Sequence, residues 1–295
     1  MNQVAYYNTE LINHQDLAID IRDLGFIMGT TVSERLRTFA GDLFELDTHL
    51  QRLQDSLDIT KLSPPQSLQE IKKAAISLVA NNHALLRSGS DLALTILITP
   101  GISNRDECTM IMYTDELPFS QLKHWYRKGA ALQVSDHRQV PANCWPSKLK
   151  CRSRMHYYLA DQQAKEKQSD ARALLLDQNG NVAEASTANV LIYERSSGLI
   201  SPKPDVILPG ISLSVVEKLA TEIRVDFSYE NISVDRLLNA DEAMLCSTSP
   251  CLWPVTQCNG IEVGAHSHET VTARLQQAWS NHVGLDLVAQ AEVLG

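Results

Sequence analysis

Four basic side chains, Lys148, Lys150, Arg152 and Arg154, fall within seven residues of the stretch Pro146-Ser-Lys-Leu-Lys-Cys-Arg-Ser-Arg-Met-His-Tyr-Tyr-Leu-Ala160. Such a cluster is a solvated basic face, a patch for phosphate or nucleic acid, or the setting for one reactive lysine. Burial beside cationic neighbours lowers an amine's pKa and frees its lone pair. Three further segments carry groups of interest. Glu184 follows the turn signal Gln178-Asn-Gly180, and Arg52 sits in the run His49-Leu-Gln-Arg-Leu53. In Leu208-Pro-Gly-Ile-Ser212, Pro-Gly opens a helix whose free backbone N–H groups at Ile211 and Ser212, with the helix dipole, would attract an anion, although a helix start needs no ligand.

The elements that must position these groups follow from periodicity and punctuation. Residues 31–39 and 42–46 flank Ala40-Gly41 as a hairpin, and Asp47 reads as the N-cap of a helix with the apolar stripe Leu50, Leu53 and Leu57. A second helix covers 68–82, and strands follow at 92–99 and 109–114. A helix over 153–167 leads into a strand over 171–177, ended by the Asn-Gly turn, and another strand spans 188–193. After Pro209-Gly210 a helix runs to 223, a strand covers 242–247, and a last helix covers 268–282. The polar break at 115–124 places an interdomain linker at 118–128, between an N-terminal α/β domain (1–117) and a C-terminal α+β domain (129–295). Strands and helices mix without strict βαβ alternation, which points to an α+β fold.

Composition narrows the function. The 295 residues carry 35 acidic and 26 basic side chains, a net charge of -9, so nothing global draws the chain to nucleic acid or an anionic membrane. No apolar run is long enough to span a bilayer and the N-terminus has no signal-peptide pattern, so the expected compartment is the cytoplasm. Six scattered cysteines form no CxxC pair, and nine histidines form no HExxH pattern, so no metal site is expected.

Several segments resemble one family, the class IV aminotransferases, which are pyridoxal 5'-phosphate enzymes of fold type IV and include branched-chain and D-amino-acid aminotransferases and 4-amino-4-deoxychorismate lyase. The segment Asp23-Leu-Gly-Phe-Ile-Met-Gly-Thr-Thr-Val-Ser-Glu-Arg-Leu-Arg37, with the His49–Leu53 run after it, is similar to a family signature. Asp177-Gln-Asn-Gly-Asn-Val-Ala-Glu-Ala-Ser-Thr-Ala-Asn-Val-Leu-Ile192 is the most specific match, and Leu208-Pro-Gly-Ile-Ser212 resembles a third motif. The resemblance implies an α+β, two-domain fold like that of D-amino-acid aminotransferase, a cofactor in a cleft between the domains, and a homodimer that completes the site. It places the Schiff-base lysine at Lys150, with Lys148 as runner-up. Glu184 falls where a carboxylate pairs with the pyridine nitrogen, Arg52 where the phosphate is bound, and Ile211, Ser212 and Thr248 in the phosphate cradle. Arg105, in Thr99-Pro-Gly-Ile-Ser-Asn-Arg105, falls where a substrate carboxylate is recognised.

The chain departs from the family at Met28 and Ser33, where relatives carry aromatics, and at 153–155, where Ser-Arg-Met replaces the usual cofactor-contacting Tyr or Asn. The expected activity is transfer of an amino group between an amino acid and a 2-keto acid. A lyase of the aminodeoxychorismate type and a degenerate binding protein are the alternatives. Ser147-Lys-Leu-Lys150 fits an SxxK hydrolase motif by letter, but no K[ST]G element exists to complete that site.

Overall fold

The computed structural model describes residues 2–103, 107–264 and 270–295. The chain forms two compact units. The first is Met1–Leu117 with Leu149–Ser153, and the second is Pro118–Lys148 with Arg154–Gly295.

The first unit holds β1 (Val4–Tyr7), β2 (Glu10–Asn13), α1 (Leu24–Ile27), β3 (Val32–Phe39), β4 (Asp42–Leu43), α2 (Leu46–Thr60), α3 (Leu68–His83), β5 (Leu92–Thr99) and β6 (Thr109–Glu116). Its six-stranded sheet has the order β2-β1-β6-β5-β3-β4. β5 is central and reads as an almost unbroken apolar run, as a strand covered on both faces must. On β3 the alternation of side chains sends Val32 and Leu36 into a core shared with Leu50, Leu53 and Leu57 of α2 and with Ile71, Ala75 and Leu78 of α3. Each leucine buried there contributes about 1.5–3 kcal/mol.

Helix α2 begins earlier than Asp47, the expected cap. Glu45 stands at the N-cap with a left-handed φ of 52°, and Asp47 lies in the first turn, where it accepts from Lys72 Nζ at 2.5 Å.

The second unit holds α4 (Phe119–Lys128), β7 (Ala130–Val134), α5 (Met155–Lys167), β8 (Arg172–Leu176), β9 (Val182–Ala185), β10 (Ala188–Glu194), β11 (Gly198–Pro202), α6 (Ile211–Glu222), β12 (Phe227–Glu230), α7 (Val234–Leu238), β13 (Glu242–Ser247), β14 (Cys251–Cys258), β15 (Ile261–Glu262), α8 (Val271–Val283) and α9 (Leu287–Leu294). Its strands run β12-β11-β10-β13-β14-β7-β8-β9, and β9 returns to pair with β10, closing a ring of hydrogen-bonded strands. The ring is filled by side chains such as Leu132, Leu174, Val190, Leu245 and Trp253.

Residues 118–128, expected as a linker, are helix α4. Its polar residues face outward, while Phe119 and Leu122 are buried, Trp125 stacks on Trp253 with ring centroids 5.2 Å apart, and Tyr126 donates to the Pro250 carbonyl. The last long helix starts at Val271, capped by Thr270, and the expected start at 268 lies outside the described residues. Among the described residues no helix is long and apolar enough to cross a membrane. Nor does any group of His, Cys, Asp or Glu among them have the makings of a metal centre.

Candidate active site

In the first unit, the segment carrying Lys150 is held as a short antiparallel addition to the start of β3. Ser33 N–H donates to the Lys150 carbonyl at 3.0 Å, Cys151 bridges to Val32, and Arg152 N–H donates to the Thr31 carbonyl at 2.8 Å. On the other side, Lys150 N–H donates to Ser56 Oγ of α2 at 3.2 Å. Lys150 is half-buried, whereas Lys148 is exposed and belongs to the second unit.

Helix α2 therefore works with two stripes. Leu50, Leu53 and Leu57 fill the core, and His49, Arg52 and Ser56, three and four residues apart, share a neighbouring face. That face meets Glu34, a polar side chain set between Val32 and Leu36 on the inward row of β3. The Glu34 side chain is fully buried. Arg52 donates through Nε to Oε1 and through Nη2 to Oε2, both at 2.8 Å, and His49 Nδ1 lies 2.7 Å from Oε2.

Burial alone would raise the Glu34 pKa, but the Arg52 charge and the hydrogen bonds from Arg52 and His49 outweigh it and hold the carboxyl down, from an ordinary 4.5 to about 2. His49 is lowered, first by burial and then by the charges of Arg52 and Lys150, against the opposing pull of Glu34. With Glu34 ionised and the imidazole neutral, the tautomer that satisfies both has the proton on Nδ1, donated to Glu34.

In the second unit, Glu184 lies on β9, opposite Asn189 of β10, and is only 4% exposed. Its Oε1 accepts from the Tyr157 hydroxyl and from Gln139 Nε2, and its Oε2 accepts from Leu208 N–H at 3.3 Å. Burial first, and then the Glu184 charge, push the Tyr157 hydroxyl well above its ordinary range. Asn189 Nδ2 donates to the Leu208 carbonyl at 2.9 Å, so Glu184 and Asn189 grip the same residue from two sides.

Two residues later Gly210 caps α6, which has no side-chain cap hydrogen bond. A Cβ on Gly210 would lie 2.1 Å from Asn189 Oδ1, so the approach of this turn to β10 requires glycine. Ile211 and the nearly buried Ser212 stand in the first turn of α6, and Thr248 lies in the turn between β13 and β14. Arg105 lies outside the described residues. The hydroxyl of Ser153, in the stretch that replaces the family's cofactor-contacting Tyr or Asn, donates to the Gly29 carbonyl at 2.7 Å.

Residues 31–258 match the family described as amino-transferase class IV. The chain belongs to the class IV aminotransferases. It is 26% identical over 284 residues to a D-alanine aminotransferase from Bacillus licheniformis, covering 94% of this chain and 96% of that one. A branched-chain-amino-acid aminotransferase-like protein of Arabidopsis thaliana is 27% identical over 281 residues, but this chain spans about half of its length (49%). In fold, the chain is similar to a T.th. branched-chain amino acid aminotransferase solved with pyridoxamine 5'-phosphate. The TM-score is 0.86 at 22% identity, with 96% of this chain and 94% of that one covered.

This aminotransferase works with pyridoxal 5'-phosphate. Each unit brings groups that suit the cofactor: a half-buried lysine and a fixed guanidinium in one, a buried carboxylate and an uncapped helix start in the other. Glu34, His49, Tyr157 and Asn189 all stand within the segments quoted above without a role assigned to them, and Gln139 stands in none. Only Glu34 left a usable signal, because an acid on an inward row of a strand must find partners.

Proposed function

We propose that the chain exchanges an amino group between an amino acid and a 2-keto acid, with Lys150 carrying the cofactor and moving the proton. When bound, the cofactor supplies an electron sink for the charge left at the substrate Cα. In this reading the Lys150 amine, in its neutral form, accepts the Cα proton and later returns it. The Glu184 carboxylate keeps the ring nitrogen protonated, and Tyr157, Gln139 and Leu208 N–H orient that carboxylate. Arg52 and the first turn of α6, through Ile211 and Ser212 with Thr248, hold the phosphate. Arg105 is the proposed anchor of the substrate carboxylate.

The observation that carries the assignment is the anchoring of Lys150 on both sides, to Ser33 and Ser56, beside an exposed Lys148. Borohydride reduction of the cofactor-loaded protein followed by peptide mapping tests it. The expected result is an adduct on Lys150, lost with turnover in Lys150→Ala and retained in Lys148→Ala. An adduct on Lys148 would transfer the role to that residue.

The working form is proposed to be a cytoplasmic homodimer. The apolar side chains of Phe26, Ile27 and Met28 stand exposed on the first unit, as a subunit contact requires. Light scattering that gives a monomer at micromolar concentration, or cell fractionation that places the chain outside the cytosol, overturns the corresponding half of that statement.

A further inference from the structure

We propose that Glu34 is a positioning residue that fixes the Arg52 guanidinium in one orientation to receive the cofactor's phosphate, with His49 holding the Glu34 carboxylate in place. The inference rests on the reading of Arg52 as a phosphate ligand.

The geometry points to orientation rather than to packing. Glu34 sits on β3 between Val32 and Leu36, its neighbours on the same face and both core residues, and an apolar side chain there would join that core. A buried ion pair is weak evidence for stability, because an apolar replacement of similar volume is often as stable. The Glu34–Arg52 pair instead gives a fixed plane. Two nitrogens of one guanidinium are fastened to two oxygens of one carboxylate at 2.8 Å each, which removes the rotational freedom of a long side chain before any ligand arrives.

His49 completes the hold. Its Nδ1 reaches the Oε2 that Arg52 Nη2 also uses, so the carboxylate cannot turn without breaking two contacts. The titratable and charged groups facing His49 are Glu34, Arg52 and Lys150, and the lowered pKa keeps the ring a neutral donor rather than a competing cation. The same frame holds the lysine. Ser33, next to Glu34, binds the Lys150 carbonyl, and Ser56, one turn beyond Arg52, binds the Lys150 N–H. The spacing between guanidinium and lysine segment is thus set by β3 and α2 together.

The test uses the apo protein and two probes that differ only in the phosphate, pyridoxamine 5'-phosphate and pyridoxamine, with dissociation constants from calorimetry. In the parent protein the phosphorylated probe binds more tightly, and Arg52→Ala removes that preference. Glu34→Gln keeps Arg52 and the shape of residue 34. It is expected to lower the preference at least about tenfold, the worth of one charge-assisted hydrogen bond, while pyridoxamine binds as before.

If Arg52→Ala leaves the preference intact, the phosphate reading of Arg52 fails. If Arg52→Ala abolishes it and Glu34→Gln does not, that reading stands and the role of Glu34 is overturned. An equal loss for both probes also overturns it, because a general loosening of the unit would weaken both. Glu34→Asp keeps the charge but withdraws it by one methylene, and it is read in the same way should Glu34→Gln not fold.

Discussion

Acid should loosen the first unit through Glu34, and the size of the effect follows from its contacts. The carboxyl is held near 2 in the folded protein against an ordinary 4.5, a depression that corresponds to about 3 kcal/mol of native-state stabilisation. A depressed carboxyl contributes fully above its unfolded pKa and loses that contribution as pH falls through the folded one. By pH 3 about 2 kcal/mol should be gone.

His49 acts with the same sign from pH 6.5 downward, because its folded pKa is also lowered and the unfolded chain takes the proton first. The two titrations are separated by working in a His49→Gln background, which keeps a donor beside Glu34 and removes the imidazole. Urea unfolding followed by far-ultraviolet circular dichroism would compare that protein with Glu34→Gln/His49→Gln at pH 6 and pH 3. The stability gap should shrink by about 2 kcal/mol between the two. A gap that stays constant with pH would mean that Glu34 does not carry a buried charge, and the account of the ion pair would be wrong.

Three further outcomes follow from the packing. Leu53→Ala, at the centre of the core beneath α2, should cost about 2–5 kcal/mol in urea unfolding, and a cost below about 1 kcal/mol would show that α2 is not packed as described. Tyr157→Phe removes a donor from buried Glu184 and should lower stability by about 1–3 kcal/mol at pH 7, with weaker pyridoxamine 5'-phosphate binding in the same preparation. An unchanged melting temperature and affinity would remove Tyr157 from the account of Glu184. Gly210→Ala places a Cβ 2.1 Å from Asn189 Oδ1, so the Asn189 amide or the start of α6 has to shift, and the phosphorylated probe should lose affinity while pyridoxamine keeps it. Gly180→Ala strains a turn at φ +85° but meets no neighbour within 4 Å, so the same preference should survive there.

The sequence was most legible where local physics decides. Strands 92–99 and 242–247 have the ends expected of them, since apolar runs bounded by polar or turn residues leave little choice. The leucine stripe of α2 was readable for the same reason. Helix α4 was not, because its polar surface hides a narrow apolar face whose partners, Trp253 and Pro250, lie more than a hundred residues away. The strands β11, β12 and β14 were missed in the same way, being defined by pairing across the sheet.

At the candidate site, the family resemblance proposed Lys150, Arg52 and Glu184, but the groups that the structure sets around Arg52 and Glu184 could not be named from it. Tyr157 reaches Glu184 across 27 positions and Gln139 across 45, and no periodicity links such residues. Glu34 was the exception in principle, since it alternates with Val32 and Leu36 and so announces a buried charge.

The Lys150 segment leaves one unit, pairs with the other for five residues, and returns. This threading makes the surroundings of Lys150 depend on residues far apart in the chain. A fragment ending at Leu117 has the docking edge but no lysine, and one starting at Pro118 has the lysine but neither Ser33 nor Ser56 to hold it. Neither piece by itself contains both the proposed cofactor lysine and the strand edge and helix that hold its backbone.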